Sequence, residues 1–128
     1  MIVHHIGYVV NSIDEYIKGF VSTTLIKRIF DPVQQAELAI YSYNNISIEL
    51  IEPKSESAFT YNHLKKNGSG YHHLCYEVDS VDSAMQIIKS NKMIKVLGPV
   101  PAVLFDGKAV LFAFTKNKDV IEFLVNDE

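Results

Sequence analysis

The stretch that decides the fold reads His4-His5-Ile6-Gly7-Tyr8-Val9-Val10-Asn11-Ser12-Ile13-Asp14, and a second copy reads His72-His73-Leu74-Cys75-Tyr76-Glu77-Val78-Asp79-Ser80-Val81-Asp82. At a constant offset of 68 residues, both histidines, the tyrosine, one valine, the serine and the aspartate coincide. Internal similarity of this kind indicates a duplicated structural unit. The chain is therefore expected to contain two copies of one module.

Each copy begins with the pattern of a strand followed by a helix. A short apolar run rich in β-branched and aromatic residues favours the strand. The serine that follows, Ser12 or Ser80, is a helix N-cap, and Ser12 has Glu15 at the spacing of a capping box. Behind both serines, apolar residues recur at helical spacing.

Three further strands are predicted in each copy. They cover residues 25–30, 36–43 and 46–52 in the first copy, and residues 93–97, 109–115 and 120–125 in the second. Tight turns at Asn44-Asn45 and at residues 117–119 precede the last strands. The proline-containing segment 98–101 is either a loop at the rim of a site or an edge segment, because proline cannot donate a sheet hydrogen bond.

These elements predict one domain of the α+β class that covers residues 1–128. One module is expected at residues 1–53 and the other at residues 71–128. Residues 54–70 form the connector, because serine, asparagine and glycine are frequent there. A short helix is expected near the middle of this connector.

The composition excludes several classes of function. The net charge is −3, and lysines and arginines are scattered, so neither nucleic acid nor an anionic membrane is an expected partner. No run approaches the roughly 20 apolar residues of a membrane helix, and no basic region of a signal peptide is present. Cys75 is the only cysteine, which fits a reducing cytoplasm and favours a buried thiol. A cytoplasmic protein is expected.

The last predicted strand of each copy places a carboxylate among apolar residues. These carboxylates are Glu49 and Glu122. A buried charge is costly without a partner, and a single glutamate in such a strand usually faces solvent. Two at equivalent places in a duplicated module favour a shared function instead. Because side chains alternate along a strand, each glutamate points to the face opposite its two apolar neighbours.

The first strand of each copy adds one histidine to this set. If the modules pack about a pseudo-twofold axis, His5 and His73 converge with Glu49 and Glu122. Two imidazoles and two carboxylates suit one divalent ion such as nickel, cobalt, zinc, manganese or iron. Open water positions would make that ion a Lewis acid. The residues alone leave open whether the site forms within one chain or between two.

Other polar residues on or near the strands receive different interpretations. Strand alternation predicts that His4 and His72 point to the face opposite the proposed ligands. His63 is expected to be a surface residue of the connector. Glu37, on a predicted strand of the first copy, is a further candidate for proton transfer.

The chain resembles the vicinal oxygen chelate superfamily, which includes glyoxalase I, methylmalonyl-CoA epimerase, extradiol dioxygenases and antibiotic-resistance binding proteins. Four segments, in order and at this spacing, carry the resemblance, at residues 5–10, 48–53, 71–79 and 120–124. It implies two paired βαβββ modules that form a cupped mixed sheet around a metal site. It also selects His5 and His73 over their neighbouring histidines as ligands.

The resemblance further implies a chemistry. In this superfamily the metal stabilises an enediolate or enolate, and a glutamate beside it moves a proton. Glu122 is then the first choice as catalytic base, with Glu49 opposite it. Small proteins of this fold usually pair, so a homodimer is expected.

The resemblance leaves the branch of the superfamily open. A glyoxalase I-type lyase acting on a hemithioacetal is slightly favoured, because residue 49 is glutamate and a His-Pro pair common in the epimerases is absent near Phe114. The alternative is a methylmalonyl-CoA epimerase-type isomerase acting on an acyl thioester. A non-catalytic antibiotic-binding protein is a further alternative, although such proteins typically lose the ligands. An oxygenase would use two histidines and one glutamate, so the presence of four candidate ligands argues against that class of enzyme.

Overall fold

In a computed structural model, which describes residues 1–127, the strands form one eight-stranded sheet in the order β2-β3-β4-β1-β5-β8-β7-β6. The strands are β1 Ile2–Val9, β2 Thr23–Asp31, β3 Ala36–Tyr43, β4 Ile46–Pro53, β5 Gly70–Val78, β6 Ile94–Ala102, β7 Lys108–Phe114 and β8 Val120–Val125. The α-helices are α1 Ile13–Tyr16, α2 Tyr61–Asn67 and α3 Val81–Ser90, and 3₁₀ turns cover Ile17–Gly19 and Val103–Phe105.

The strand order reflects the duplication. The first strands of the two copies, β1 and β5, lie side by side in the centre and are antiparallel. Each is parallel to the last strand of its own copy, β4 beside β1 and β8 beside β5. The sheet curls into a half-barrel, so the predicted α+β fold of two βαβββ units in a cupped mixed sheet is confirmed.

Helices α1 and α3 cover the convex face of this sheet, and a second apolar layer, against which Leu64 of α2 packs, fills the concave face. Below α1, Ile13 packs with Tyr41 and Leu50, and below α3, Ile88 packs with Phe123. The concave layer includes Leu38, Ile40, Ile51, Leu104, Phe112 and Leu124. The strands are therefore apolar on both faces. Polar side chains buried within the concave layer are exceptional in such surroundings and indicate a function.

Several predicted boundaries move. The helix after Ser12 is short and passes into the 3₁₀ turn, although the Ser12 hydroxyl accepts the predicted capping hydrogen bond from the Glu15 amide. The segment 98–101 lies within β6, at the edge of the sheet. Of the two alternatives predicted for it, a loop at the rim of a site or an edge segment, it is the edge segment. The connector contains the expected short helix, which ends at Gly68 with φ of 75°. No helix formed by residues 1–127 has the length and apolar character needed to cross a membrane.

Each central strand contains a bulge at the first histidine of its pair. In the ladder between β1 and β5, the register shifts so that His4 has no partner on β5 and His72 has none on β1. A bulge interrupts the alternation of side chains. The prediction that His4 and His72 point away from the next residue is therefore wrong: each Nδ1 lies 2.8 Å from the Nδ1 of His5 or His73.

Candidate metal centre

Four neighbouring strands each contribute one side chain to a cluster on the concave face. Glu49 lies on β4, His5 on β1, His73 on β5 and Glu122 on β8. The four side chains meet within one chain, and each residue is at most 2% exposed. The structure thus brings together all four predicted ligands. Their binding of a metal ion stays a prediction.

Small residues in the register make this convergence possible. Gly7 pairs with Glu49 on one side and with His73 on the other. Cys75, the equivalent of Gly7 in the second copy, pairs with His5 and with Glu122. Each row across the sheet therefore has a small residue between two ligands. The side chains on both sides can lean over it towards a common centre.

The distances in the cluster describe four atoms around one point. His5 Nε2 lies 3.2 Å from Glu49 Oε1, 3.1 Å from Glu122 Oε1 and 3.2 Å from His73 Nε2. His73 Nε2 lies 3.4 Å from Glu49 Oε1 and 3.0 Å from Glu122 Oε1. Two carboxylate oxygens and two imidazole nitrogens thus face inwards.

These distances fit a bound ion. Ligands about 2.1 Å from a metal lie about 3.0 Å apart at adjacent octahedral positions and about 3.4 Å apart at tetrahedral ones. Glu49 Oε1 and Glu122 Oε1 are buried, and neither has a partner with hydrogen-bond geometry among the described residues. Buried carboxylate oxygens without a hydrogen bond are costly. A divalent cation at the common point would satisfy both.

The electrostatics of the cluster agree with this chemistry. Burial opposes charge on Glu49 and Glu122, but the imidazoles of His5 and His73 outweigh it and lower the pKa of both carboxyl groups. Burial likewise opposes protonation of the two imidazoles, but the carboxylates outweigh it and raise the pKa of each. The cluster therefore favours carboxylates paired with a cation, whether a proton on imidazole or a metal ion.

A second layer of rings, most of which was not predicted from the sequence, surrounds the ligands. His4 contacts His5, and His72 contacts His73. Phe105 stacks on the His5 ring at 5.3 Å between centroids, and Phe112 meets the His73 ring edge-on at 5.5 Å. The repeated His-His pair was a visible signal for the two outer histidines, but strand alternation argued against it.

The remaining candidates have other surroundings. Glu37 accepts a hydrogen bond from Arg28 Nε at 3.1 Å, on the face opposite Leu38 of the concave layer, so it is not part of the cluster. His63 is a partly exposed residue of α2, and its ring lies 4.7 Å from that of His72. Burial raises the pKa of the Cys75 thiol, which agrees with an unreactive side chain.

The fold and the cluster together define a member of a known superfamily. Residues 4–112 match the model of the Glyoxalase/Bleomycin resistance protein/Dioxygenase superfamily. The chain belongs to this superfamily, as its resemblance to the vicinal oxygen chelate proteins predicted.

Three known proteins are informative relatives. The mitochondrial methylmalonyl-CoA epimerase of Dictyostelium discoideum is 32% identical in an alignment of 106 residues that covers 75% of this chain and 63% of that protein. A hypothetical protein from Bacillus halodurans has a TM-score of 0.85 at 28% identity, covering 99% of this chain and 95% of that one. A variant of the Streptomyces coelicolor methylmalonyl-CoA epimerase in complex with 2-nitronate-propionyl-CoA has a TM-score of 0.82 at 20% identity, covering 98% and 97%. The last likeness concerns the fold alone.

These relatives support one branch of the superfamily. The chain spans less than two thirds of the length of the first curated relatives that it matches, and those relatives are epimerases. The similarity favours the epimerase alternative and an isomerase, whereas the slight preference for a glyoxalase I-type lyase finds no support. That preference depended on Glu49 and on one missing dipeptide, while the epimerase similarity extends over most of the chain.

Proposed function

We propose that the protein is a divalent-metal-dependent epimerase of an acyl thioester that carries an acidic C–H bond, of the methylmalonyl-CoA type. The observation that carries the proposal is the buried cluster of two imidazoles and two carboxylates, whose inward oxygens lack hydrogen-bond geometry, at a common centre. Epimerisation needs a group that removes a proton from one face of a carbon atom and a group that returns one to the other face. Two glutamates from symmetry-related strands suit that requirement.

The chain's own residues then have distinct roles. His5, His73, Glu49 and Glu122 would hold the ion, and a divalent cation supplies a Lewis acid for the negative charge that develops on the substrate oxygen. Glu122 accepts the proton from the carbon next to the thioester carbonyl. Glu49, on the opposite side of the cluster, would return a proton to the other face, which requires that Glu49 enter the step protonated while Glu122 is a carboxylate. The apolar layer with Phe105 and Phe112 excludes water from the reacting carbon.

A cavity beside the cluster has the chemistry that an anionic carrier such as coenzyme A requires. It has a volume of about 440 Å³ and is lined by His72, Phe59, Lys66 and Lys118 among others. Both lysines are exposed, and neither has an ion pair among the described residues. Phosphate groups bind well to lysine ammonium groups. The aromatic ring can pack against the carrier's apolar parts.

Metal identity and assembly remain proposals within this function. Nickel, cobalt, zinc, manganese and iron all accept imidazole and carboxylate ligands. The homodimer expected from the resemblance is retained as a proposal. All four candidate ligands belong to one chain, so the chemistry would not depend on a partner for its metal.

Metal analysis combined with a deuterium-exchange assay tests the proposal. Untagged protein is expected to hold about one transition-metal ion per chain and to exchange the C2 proton of methylmalonyl-CoA for deuterium in D₂O. His5→Ala should lose the ion. Glu122→Gln should lower kcat for exchange by roughly 10²–10⁴-fold. Glu37→Gln, on the opposite face of the sheet, is the matched control and should match the wild type.

Two results would contradict the proposal. Unchanged metal content in His5→Ala would show that the ion lies elsewhere. Metal-loaded protein that leaves methylmalonyl-CoA unchanged but converts the hemithioacetal of methylglyoxal and glutathione would restore the lyase branch.

A further inference from the structure

The two bulges place a second histidine directly behind each proposed ligand. His4 Nδ1 lies 2.8 Å from His5 Nδ1, and His72 Nδ1 lies 2.8 Å from His73 Nδ1. In each pair, the ligand histidine turns its other nitrogen, Nε2, towards the glutamates. The same arrangement occurs in both copies of the module, at residues that are adjacent in sequence and would lie on opposite faces of a regular strand.

The protonation of the ligand ring determines which nitrogen donates in each Nδ1–Nδ1 hydrogen bond. Two ring nitrogens 2.8 Å apart share one proton, so one donates and the other accepts. A neutral histidine that offers the Nε2 lone pair to a metal carries its proton on Nδ1. In that state His5 and His73 donate from their protonated Nδ1 atoms. His4 and His72 accept through an Nδ1 atom that carries no proton. With this direction, the outer histidine selects the tautomer that its neighbour needs for binding a metal.

We propose that His4 and His72 are positioning residues that fix the tautomer and the ring orientation of His5 and His73 for metal binding. This inference rests on the metal site of the proposed function. Metal-bound histidines generally donate their second N–H to a carboxylate, a carbonyl group or water. Here a histidine takes that role twice, and the bulges are the backbone feature that permits it.

The outer rings are themselves held in place. The ring of His4 meets Phe105 edge-on at 5.1 Å between centroids. The ring of His72 lies 4.7 Å from His63 and 6.2 Å from Phe59, again edge-on in both contacts. A fixed acceptor restricts the rotation of the ligand ring more than mobile water would. The aromatic contacts of His4 and His72 thus extend the ordered structure around the site.

A pair of substitutions at each outer histidine separates hydrogen bonding from packing. His72→Leu and His4→Leu remove the acceptor and retain bulk, whereas His72→Asn and His4→Asn place a carbonyl oxygen near the position of Nδ1. The probe is Co²⁺, with its Kd measured by competition against a chelator and the Nδ1–H signals of the ligand rings followed by NMR. Tyr71→Leu is the control, because Tyr71 is adjacent to His72 on β5 but its side chain is exposed.

The leucine variants should weaken Co²⁺ binding by about 10–100-fold and broaden or shift the Nδ1–H signal of the neighbouring ligand. The asparagine variants should recover most of the affinity. Tyr71→Leu should bind as the wild type does. Since His4 is only half buried, its two variants decide the matter if those at His72 fail to fold.

Wild-type affinity in both leucine variants would overturn the inference, and so would equal losses in the leucine and asparagine variants, because packing alone would explain them. Absence of Co²⁺ binding in the wild type would instead refute the proposed metal site, and the positioning role with it.

Discussion

Gly7 lies opposite His73 on the neighbouring strand, and the imidazole of His73 occupies the space where a side chain at residue 7 would stand. A Cβ atom built on Gly7 would overlap three ring atoms of His73. The backbone conformation of Gly7 is ordinary, so the requirement for glycine comes from the ring alone. The glycine is thus part of the candidate site, although it has no ligand atom.

We expect Gly7→Ala to displace the His73 ring and to weaken metal binding by about 10–100-fold. Overpacking of this kind should also lower the free energy of unfolding by about 1–3 kcal/mol. Metal titration and denaturant unfolding measure the two effects. Gly70→Ala is the control, because a Cβ at Gly70, also on β5, would meet nothing within 4 Å. Equal metal affinity in the two variants would show that His73 can move without consequence.

The sequence could predict the ligands but not the residues that position them. Duplication and strand alternation place Glu49 and Glu122 on one face, since both strands are regular there. Alternation fails at His4 and His72, because a bulge depends on the pairing of two strands distant in sequence and has no local signal here. The Gly7–His73 contact also depends on register. The branch of the superfamily was not predicted, because Glu49 and one missing dipeptide were the local signals used, whereas the epimerase similarity is spread over most of the chain.

Cys75 should resist thiol reagents for as long as the protein is folded. The residue is fully buried opposite His5, and burial raises the pKa of its thiol, so the reactive thiolate is scarce. Labelling with a thiol reagent should follow the rate of unfolding, and Co²⁺ or Zn²⁺ should slow it further by stabilising the folded state. Rapid labelling of the native protein would show that the centre opens to solvent.

Charge reversal at the cavity should weaken the binding of the carrier without impairing the chemistry. We expect Lys66→Glu and Lys118→Glu each to raise KM for methylmalonyl-CoA by about tenfold, with kcat nearly unchanged, since neither lysine belongs to the cluster. Lys65→Glu is the matched control, because this neighbour on α2 does not line the cavity.

A truncated substrate makes the lysine test more specific. A methylmalonyl thioester of pantetheine lacks the nucleotide phosphates, so its KM should respond little to either lysine variant. If Lys65→Glu raised KM as much as Lys66→Glu, the effect would be one of overall charge, and the cavity would not be the carrier site.

The stability of the metal-free protein should pass through a maximum in mildly acidic solution. The pKa values of Glu49 and Glu122 are lowered in the folded state, so their contribution is present above their ordinary value of 4.5 and is lost as the pH falls further. The pKa values of His5 and His73 are raised, so their contribution is complete below 6.5 and is lost as the pH rises through the folded pKa values. The two contributions overlap between pH 4.5 and 6.5.

A bound metal ion should counteract the loss of stability above pH 6.5, because it binds imidazoles only after they lose their protons. The unfolding midpoint of the chelator-treated protein is expected to decrease as the pH rises above 6.5. Over the same interval, the difference between Zn²⁺-loaded and metal-free protein should grow. His5→Ala should lose the second trend with its metal ion and should show the first only weakly, because His73 alone then titrates against the carboxylates. If the stability of the metal-free protein instead increased as the pH rose above 6.5, the carboxylates would not be keeping the imidazoles protonated.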